Sequence, residues 1–395
     1  MDTDQIAAFR LRAHHLDRRL PAGSLLAAAG ACAIQNSPPG SALLALHARV
    51  AGVTSEEVAQ AIEADKTLLQ TWCMRGAPFL FPTQDAPVFT MGLLPDGETS
   101  RRRFILGVEQ ALATLGMSLD EAVERTEREL EAVLSERRLA IDELGARLSA
   151  RIVRHLPPDQ ARVWQAEGPY AAGQPWGEGV VHFVLRIVAL KGALCFAPRS
   201  GNKAPFVLTA EWLGEPPPDP DPQAARADLA RRYLHCYGPS TPKGFAAWTG
   251  LAAEDVPHRW RLIEDELAEV DLDGRPAWLL ASDLDALRSA EAVRGVRLLP
   301  PRDPYIQTAD KLQLVPDTSL HRRIWRSPGE PGTVLADGRL VATWRQRKEG
   351  KRLRIEVEPL AAPPGSPARD LIEAEAEAIA ALRGASGCRV RFSGT

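Results

Sequence analysis

Gly76-Ala77-Pro78-Phe79-Leu80-Phe81, Lys203-Ala204-Pro205-Phe206-Val207-Leu208 and Gly274-Arg275-Pro276-Ala277-Trp278-Leu279-Leu280 share one pattern: a turn, a proline and an apolar strand. Each runs into a Ser or Thr beside acid, in Pro82-Thr83-Gln84-Asp85, Thr209-Ala210-Glu211 and Ser282-Asp283. Proline presets φ at the strand entry, the apolar run buries a face, and a side-chain oxygen caps the first amides of a following helix. The three stretches predict three hairpin ribbons, each ending in a new helix.

Helical spacing precedes each ribbon. Apolar positions recur at helical intervals over Asp4 to Leu16, Gly23 to Ala33 and Pro39 to Val50. Thr54-Ser55-Glu56-Glu57 fits a capping box that opens a helix to about Lys66. Leu68 to Met74 then reads as extended. Leu119 to Ala150 is a charge-rich helical stretch, and Gly179 to Leu190 an apolar helix ahead of the second ribbon. Asp221 to Tyr237, Lys243 to Trp248 and Glu254 to Leu267 repeat the three-helix order ahead of the third. Three helices followed by a ribbon is the order of a winged helix. Glu215 to Pro222, EPPPDPDP, cannot hold regular hydrogen bonding and is the clearest linker.

After Leu298 the pattern changes. Apolar runs at Leu312 to Val315, Thr333 to Leu335, Leu340 to Trp344 and Leu353 to Val357 alternate with turns such as Asp337-Gly338. A final helix, Pro367 to Leu382, and a strand, Cys388 to Phe392, close the chain. The expected fold is α+β: winged-helix domains over residues 1–100, 101–215 and 222–294, then a small antiparallel β-barrel with a C-terminal helix and strand over 295–395.

At 395 residues, 45% apolar and 25% charged, the chain exceeds what one core organises, which excludes a disordered protein and a minimal binding module. A net charge of -3 counts against binding nucleic acid or membrane through bulk charge. Five cysteines stand far apart with no C-x-x-C pair, so the expectation is a reduced, intracellular protein with no metal site. The N-terminal segment carries acids where a signal peptide needs bases, and no apolar run reaches the length of a membrane span. The expected location is the cytoplasm. No phosphate-cradling glycine loop or serine nucleophile elbow stands in the chain, and no cofactor is expected.

The charge is segregated. Gly179 to Ala210 holds four basic residues, Arg186, Lys191, Arg199 and Lys203, and no acid; Arg322 to Arg354 holds ten against three acids. Acids concentrate in Asp120 to Glu143 and Glu264 to Asp273. Such a distribution lets a nearly neutral protein present a basic channel to a phosphate backbone. Arg199-Ser200-Gly201-Asn202-Lys203 lies at a wing tip, where glycine admits a phosphate and Arg, Asn and Lys reach it. The candidate DNA contacts are Arg101, Arg102, Lys191, Arg199, Asn202, Lys203, Lys243, Arg322 and Arg323, with Arg75 either a further phosphate contact or a surface ion pair beside the first ribbon. A solvated face explains Arg101 to Arg103 and the later basic run as well. Trp72 and Trp248 read as core, and His14 and His15 as core or surface histidines.

Leu69-Gln70-Thr71-Trp72-Cys73-Met74-Arg75-Gly76, Tyr237-Gly238-Pro239, Phe245-Ala246-Ala247-Trp248-Thr249-Gly250 and Leu299-Pro300-Pro301-Arg302-Asp303-Pro304-Tyr305 together resemble the AlkZ/YcaQ-like DNA glycosylases. So do Leu314-Val315-Pro316-Asp317 and Val334-Leu335-Ala336-Asp337-Gly338-Arg339. The resemblance spans nearly the whole chain in order. It implies tandem winged helices and a β-barrel around a DNA channel, and excision of N-alkylated purines with unhooking of interstrand crosslinks. It further implies a Gln-apolar-Gln or Gln-apolar-Asp signature at the end of an early helix. Ala33-Ile34-Gln35 occupies that place, with Gln35 keeping the second position and Ala33 departing from the first.

Breaking an N-glycosidic bond passes through an oxocarbenium-like sugar, which a carboxylate commonly stabilises. An N7-alkylguanine or N3-alkyladenine is already cationic, so its base leaves without protonation. The Gln35 carbonyl can then orient water and offer partial negative charge, with Asn36 a substitute for the missing amide. The resemblance thus implies a monofunctional DNA glycosylase, monomeric, acting on duplex DNA with alkylated purines in the nucleoid. The rival is a non-catalytic winged-helix DNA-binding or regulatory protein, in which Ala33 marks lost activity.

Overall fold

The structure is a computed structural model describing residues 2–199, 201, 203–215, 221–272, 274–361 and 365–393. Most of the EPPPDPDP linker, together with Ser200 and Asn202 of the wing tip, lies outside the described residues. The chain forms two compact units, each built from separated segments. One contains residues 1–61, 230–248 and 263–395; the other contains 62–229 and 249–262.

All three ribbons form. β2 (Leu68–Trp72) pairs antiparallel with β3 (Pro78–Pro82), β4 (Leu194–Phe196) with β5 (Phe206–Leu208), and β6 (Leu267–Leu272) with β7 (Arg275–Leu280). A helical turn follows each: Thr83–Asp85, Thr209–Leu213 and Ala281–Asp283. In the unit of residues 62–229 and 249–262, helices Leu119–Leu134, Ile141–Ile152 and Trp176–Leu190 pack on one another ahead of the β4/β5 ribbon. Gly145 permits that approach, since a Cβ there would lie 2.2 Å from His182 Nε2. The charge-rich stretch is therefore two helices; it breaks after Ser135, with Glu136 at φ 56°.

The unit containing both termini holds the helices Thr3–Ala13, Leu25–Gly30 and Ser41–Arg49, the short strand β1 (Ile34–Gln35) and the β6/β7 ribbon. It also holds a five-stranded sheet of β8 (Val296–Leu299), β9 (Gly332–Ala336), β10 (Arg339–Glu349), β11 (Arg352–Pro359) and β12 (Cys388–Phe392). The strand order is β12-β11-β10-β9-β8. The expected barrel is an open sheet: among the described residues, nothing pairs β8 with β12. The reason lies in the helix Ser366–Leu382, which carries the chain across so that β12 joins β11 in parallel. Its Ile372, Ala376, Ile379 and Ala380 share a core with Val296, Leu298, Val334, Trp344 and Ile355, so a helix fills the curled face.

Other local expectations divide. Asp337 and Gly338, at φ 45° and 80°, make the β9/β10 turn. Thr54 Oγ1 accepts from Glu57 N at 3.1 Å, opening the helix Ser55–Glu63. Leu312 to Val315 is not a strand: Lys311–Leu314 is one helical turn. Among the described residues, no helix is long and apolar enough to cross a membrane.

Candidate active site and DNA interface

Gln35 is reached through a left-handed residue. The helix Leu25–Gly30 stops short of the expected Ala33, whose φ is 59° and whose amide donates back to Ala29 O at 3.1 Å. That is a left-handed helix stop, a role glycine usually fills because a side chain there is strained. The chain then enters β1, so Gln35 lies in a short strand after the helix, 3% exposed. Asn36 Oδ1 accepts from Gly40 N at 2.9 Å and from Ala42 N at 3.3 Å. Its carbonyl is thereby engaged in opening the helix Ser41–Arg49.

Two polar clusters lie in the core of this unit. Arg49 Nη1 and Nη2 each donate to an Asp303 carboxylate oxygen at 2.8 Å, with side chains 2% and 0% exposed. Asp303 Oδ1 also accepts from Tyr305 N, and Arg49 donates to Ala45 O. The Asp-Pro-Tyr stretch is thus a buried anchor, and its partner Arg49 was not evident from sequence. Arg10 was likewise missed; it donates to the carbonyls of Gly238 and Pro239. The second cluster joins His14, Cys32 and Cys236, all buried, whose donor atoms lie within 4.8 Å of one another. His14 Nδ1 is 3.7 Å from Cys32 Sγ, and its ring meets those of Tyr237 and Tyr305 edge-on at 4.9 and 5.6 Å. The hydrogen bond from Cys236 holds the Cys32 thiol well below its ordinary range; burial opposes this and His14 adds to it. Cys73 and Cys195 are instead pushed up to about 12 by burial.

The candidate DNA contacts divide by their partners. Arg101 meets Asp120 at 2.6 Å, Arg102 meets Glu98, and Lys191 meets Glu127 at 2.5 Å. Arg323 donates to Leu360 O, Pro359 O and Glu358. Arg75 sits in the β2/β3 turn at φ 55°, over the Phe79 ring at 5.9 Å and against Gly250, where a Cβ would lie 3.0 Å from its side chain. Arg199, Lys203, Lys243 and Arg322 are exposed. The basic run Arg322 to Arg354 also forms a projecting hairpin whose cations were not among the named contacts. Residues 345–352 at the β10/β11 hairpin tip are all exposed and include Arg345, Arg347, Lys348, Lys351 and Arg352. Lys348, Lys351, Arg352 and Arg383 line one cleft there. Trp72 and Trp248 are buried, as expected.

Comparisons with known proteins agree with this architecture. Residues 28–382 match the family described as DNA glycosylase AlkZ-like. An interstrand DNA cross-link repair glycosylase of Streptomyces sahachiroi is 29% identical over 350 residues, 86% of each chain. The solved structure of the Streptomyces sahachiroi DNA glycosylase AlkZ superposes with a TM-score of 0.78 and 26% identity, covering 99% of both chains. The chain therefore belongs to the AlkZ-like DNA glycosylase family.

Proposed function

We propose that this protein is a monofunctional DNA glycosylase that hydrolyses the N-glycosidic bond of N-alkylated or bulky purine adducts and unhooks interstrand crosslinks. The observation that carries this reading is the family match over residues 28–382, which includes the signature segment. The cationic purine leaves with the bond's electron pair, water attacks C1′ of the oxocarbenium-like sugar, and the proton passes to solvent. Gln35 orients that water and offers its carbonyl dipole to the sugar. Asn36 supports it by shaping the turn from β1 into the helix Ser41–Arg49. The protein acts as a monomer on duplex DNA. Arg75, Arg199, Lys203, Lys243, Arg322 and the β10/β11 hairpin cations contact phosphates: Arg75 lies in the β2/β3 turn, and the others are exposed basic groups. The winged-helix modules over residues 1–100, 101–215 and 222–294 are part of the same reading.

The test incubates the protein with duplexes carrying N7-methylguanine or an interstrand crosslink and measures released base and alkali-labile abasic sites. Release that Gln35→Ala abolishes supports the reading. Release unchanged in Gln35→Ala overturns the mechanism alone. Tight, salt-dependent binding with no release from any substrate favours the regulator, for which Ala33 is the specific observation.

A further inference from the structure

We propose that His14, Cys32 and Cys236 form a zinc site that ties the N-terminal helices to the distant segment around Cys236. Tetrahedral zinc, with Zn–S near ~2.3 Å and Zn–N near ~2.05 Å, sets sulfur-to-nitrogen separations of roughly 3.6 Å and sulfur-to-sulfur separations of roughly 3.8 Å. His14 Nδ1 to Cys32 Sγ is 3.7 Å, and all three donor atoms lie within 4.8 Å. Closing the set needs only small side-chain adjustments.

The polar accounting of the imidazole points the same way. His14 is 1% exposed, its Nε2 has no hydrogen-bond partner among the described residues, and the contact of Nδ1 with sulfur is a weak one. A ring buried on such terms is poorly compensated. A metal bond at Nδ1 replaces that weak sulfur contact with a strong one and fixes the proton of the neutral ring on Nε2, with the ring held by Tyr237 and Tyr305.

Charge selects the ion. Two thiolates neutralise a divalent cation, so the loaded site enters the core without net charge beside the paired Arg49 and Asp303. A monovalent soft ion such as Cu⁺ leaves one buried negative charge. The carbonyls of Ala31 and Ala13, 3.5 and 3.9 Å from Cys236 Sγ, are oxygens at hand for the fourth position, as is Tyr237 Oη, 3.9 Å from Cys32 Sγ, which also donates to Pro304 O. Binding releases the thiol protons and, in so enclosed a place, accompanies folding. Cys32 stands three positions before Gln35, so the ion anchors the segment leading into β1. The site stands on these contacts whether or not the glycosylase reading holds.

The test is elemental analysis of the full chain, expressed with added zinc and without a metal-binding tag. About one zinc per chain is expected. Cobalt in its place gives near-ultraviolet thiolate-to-cobalt charge-transfer absorption. Cys32→Ala and Cys236→Ala each lose most of the metal, whereas Cys388→Ala, on β12, keeps it. Zinc far below one per chain in the wild type, a cobalt spectrum without thiolate absorption, or zinc retained by the Cys32→Ala/Cys236→Ala double variant overturns the site. Copper in place of zinc overturns the assignment of the ion. If the thiol variants fail to fold, wild-type stoichiometry and the cobalt spectrum decide.

Discussion

The pair Arg49–Asp303 and the trio His14, Cys32 and Cys236 are both buried in the unit that holds the chain termini, and they differ in how fully their polar atoms are used. The guanidinium and carboxylate meet in a bidentate pair, with further bonds to Ala45 O and Tyr305 N. The trio has long sulfur contacts and an imidazole nitrogen with no partner among the described residues. A saturated buried pair fixes geometry and has little capacity left for a ligand. An under-compensated cluster retains donors that a ligand can use.

The largest expected effect breaks the saturated side. Asp303→Ala leaves Arg49 buried without its carboxylate and costs about 3–5 kcal/mol, read from urea denaturation. A loss under about 1 kcal/mol shows that the pair is not an anchor. Gln35→Ala, beyond the trio, sharpens the contrast because its loss falls on rate: base release drops about 10²–10³-fold while DNA affinity stays near wild type. Equal losses in binding and release place Gln35 in recognition instead.

Smaller effects come from exposed charges. Lys348→Ala and Arg352→Ala each lower the slope of log affinity against log salt by about 1, measured by titration of duplex DNA at several salt concentrations. An unchanged slope removes the β10/β11 hairpin from the interface. The smallest effect concerns His235, whose Nδ1 lies 3.0 Å from Asp283 Oδ2; that hydrogen bond raises its pKa. A raised histidine pKa gives stability that is full below its unfolded value, near ~6.5, and lost as pH rises through the folded value. The side chain is 49% exposed, so His235→Gln costs only a few tenths of a kcal/mol in acid and nothing in alkali. A cost that grows with pH contradicts the assignment.

What was legible in the sequence was local. The ribbons show because proline, glycine and apolar alternation all lie within a few residues, and Asp337-Gly338 names its own turn. The break at Ser135–Glu136 was hidden because charged helix formers flank it on both sides. The barrel was misread because closure depends on where β12 pairs, and the crossover helix decides that. Around the candidate site, Gln35 was singled out only through the resemblance to a family signature. Arg49–Asp303 spans 254 positions and Cys32–Cys236 spans 204, separations at which residue spacing carries no signal.

The segmented composition of the unit holding both termini has a consequence for synthesis on the ribosome. Leu44 belongs to a core whose other members begin at Val296 and extend to Ala380. At roughly 5–20 residues per second, the N-terminal helices wait on the order of 20–70 s for those partners to be translated. During that interval the intervening unit, from Ile62 to Leu229, emerges with most of its own chain. A premature stop before β8 therefore damages the opposite end of the protein, leaving Leu44 without its strand core and Leu11, Leu16 and Ala48 without Leu299, Tyr305 and Leu335.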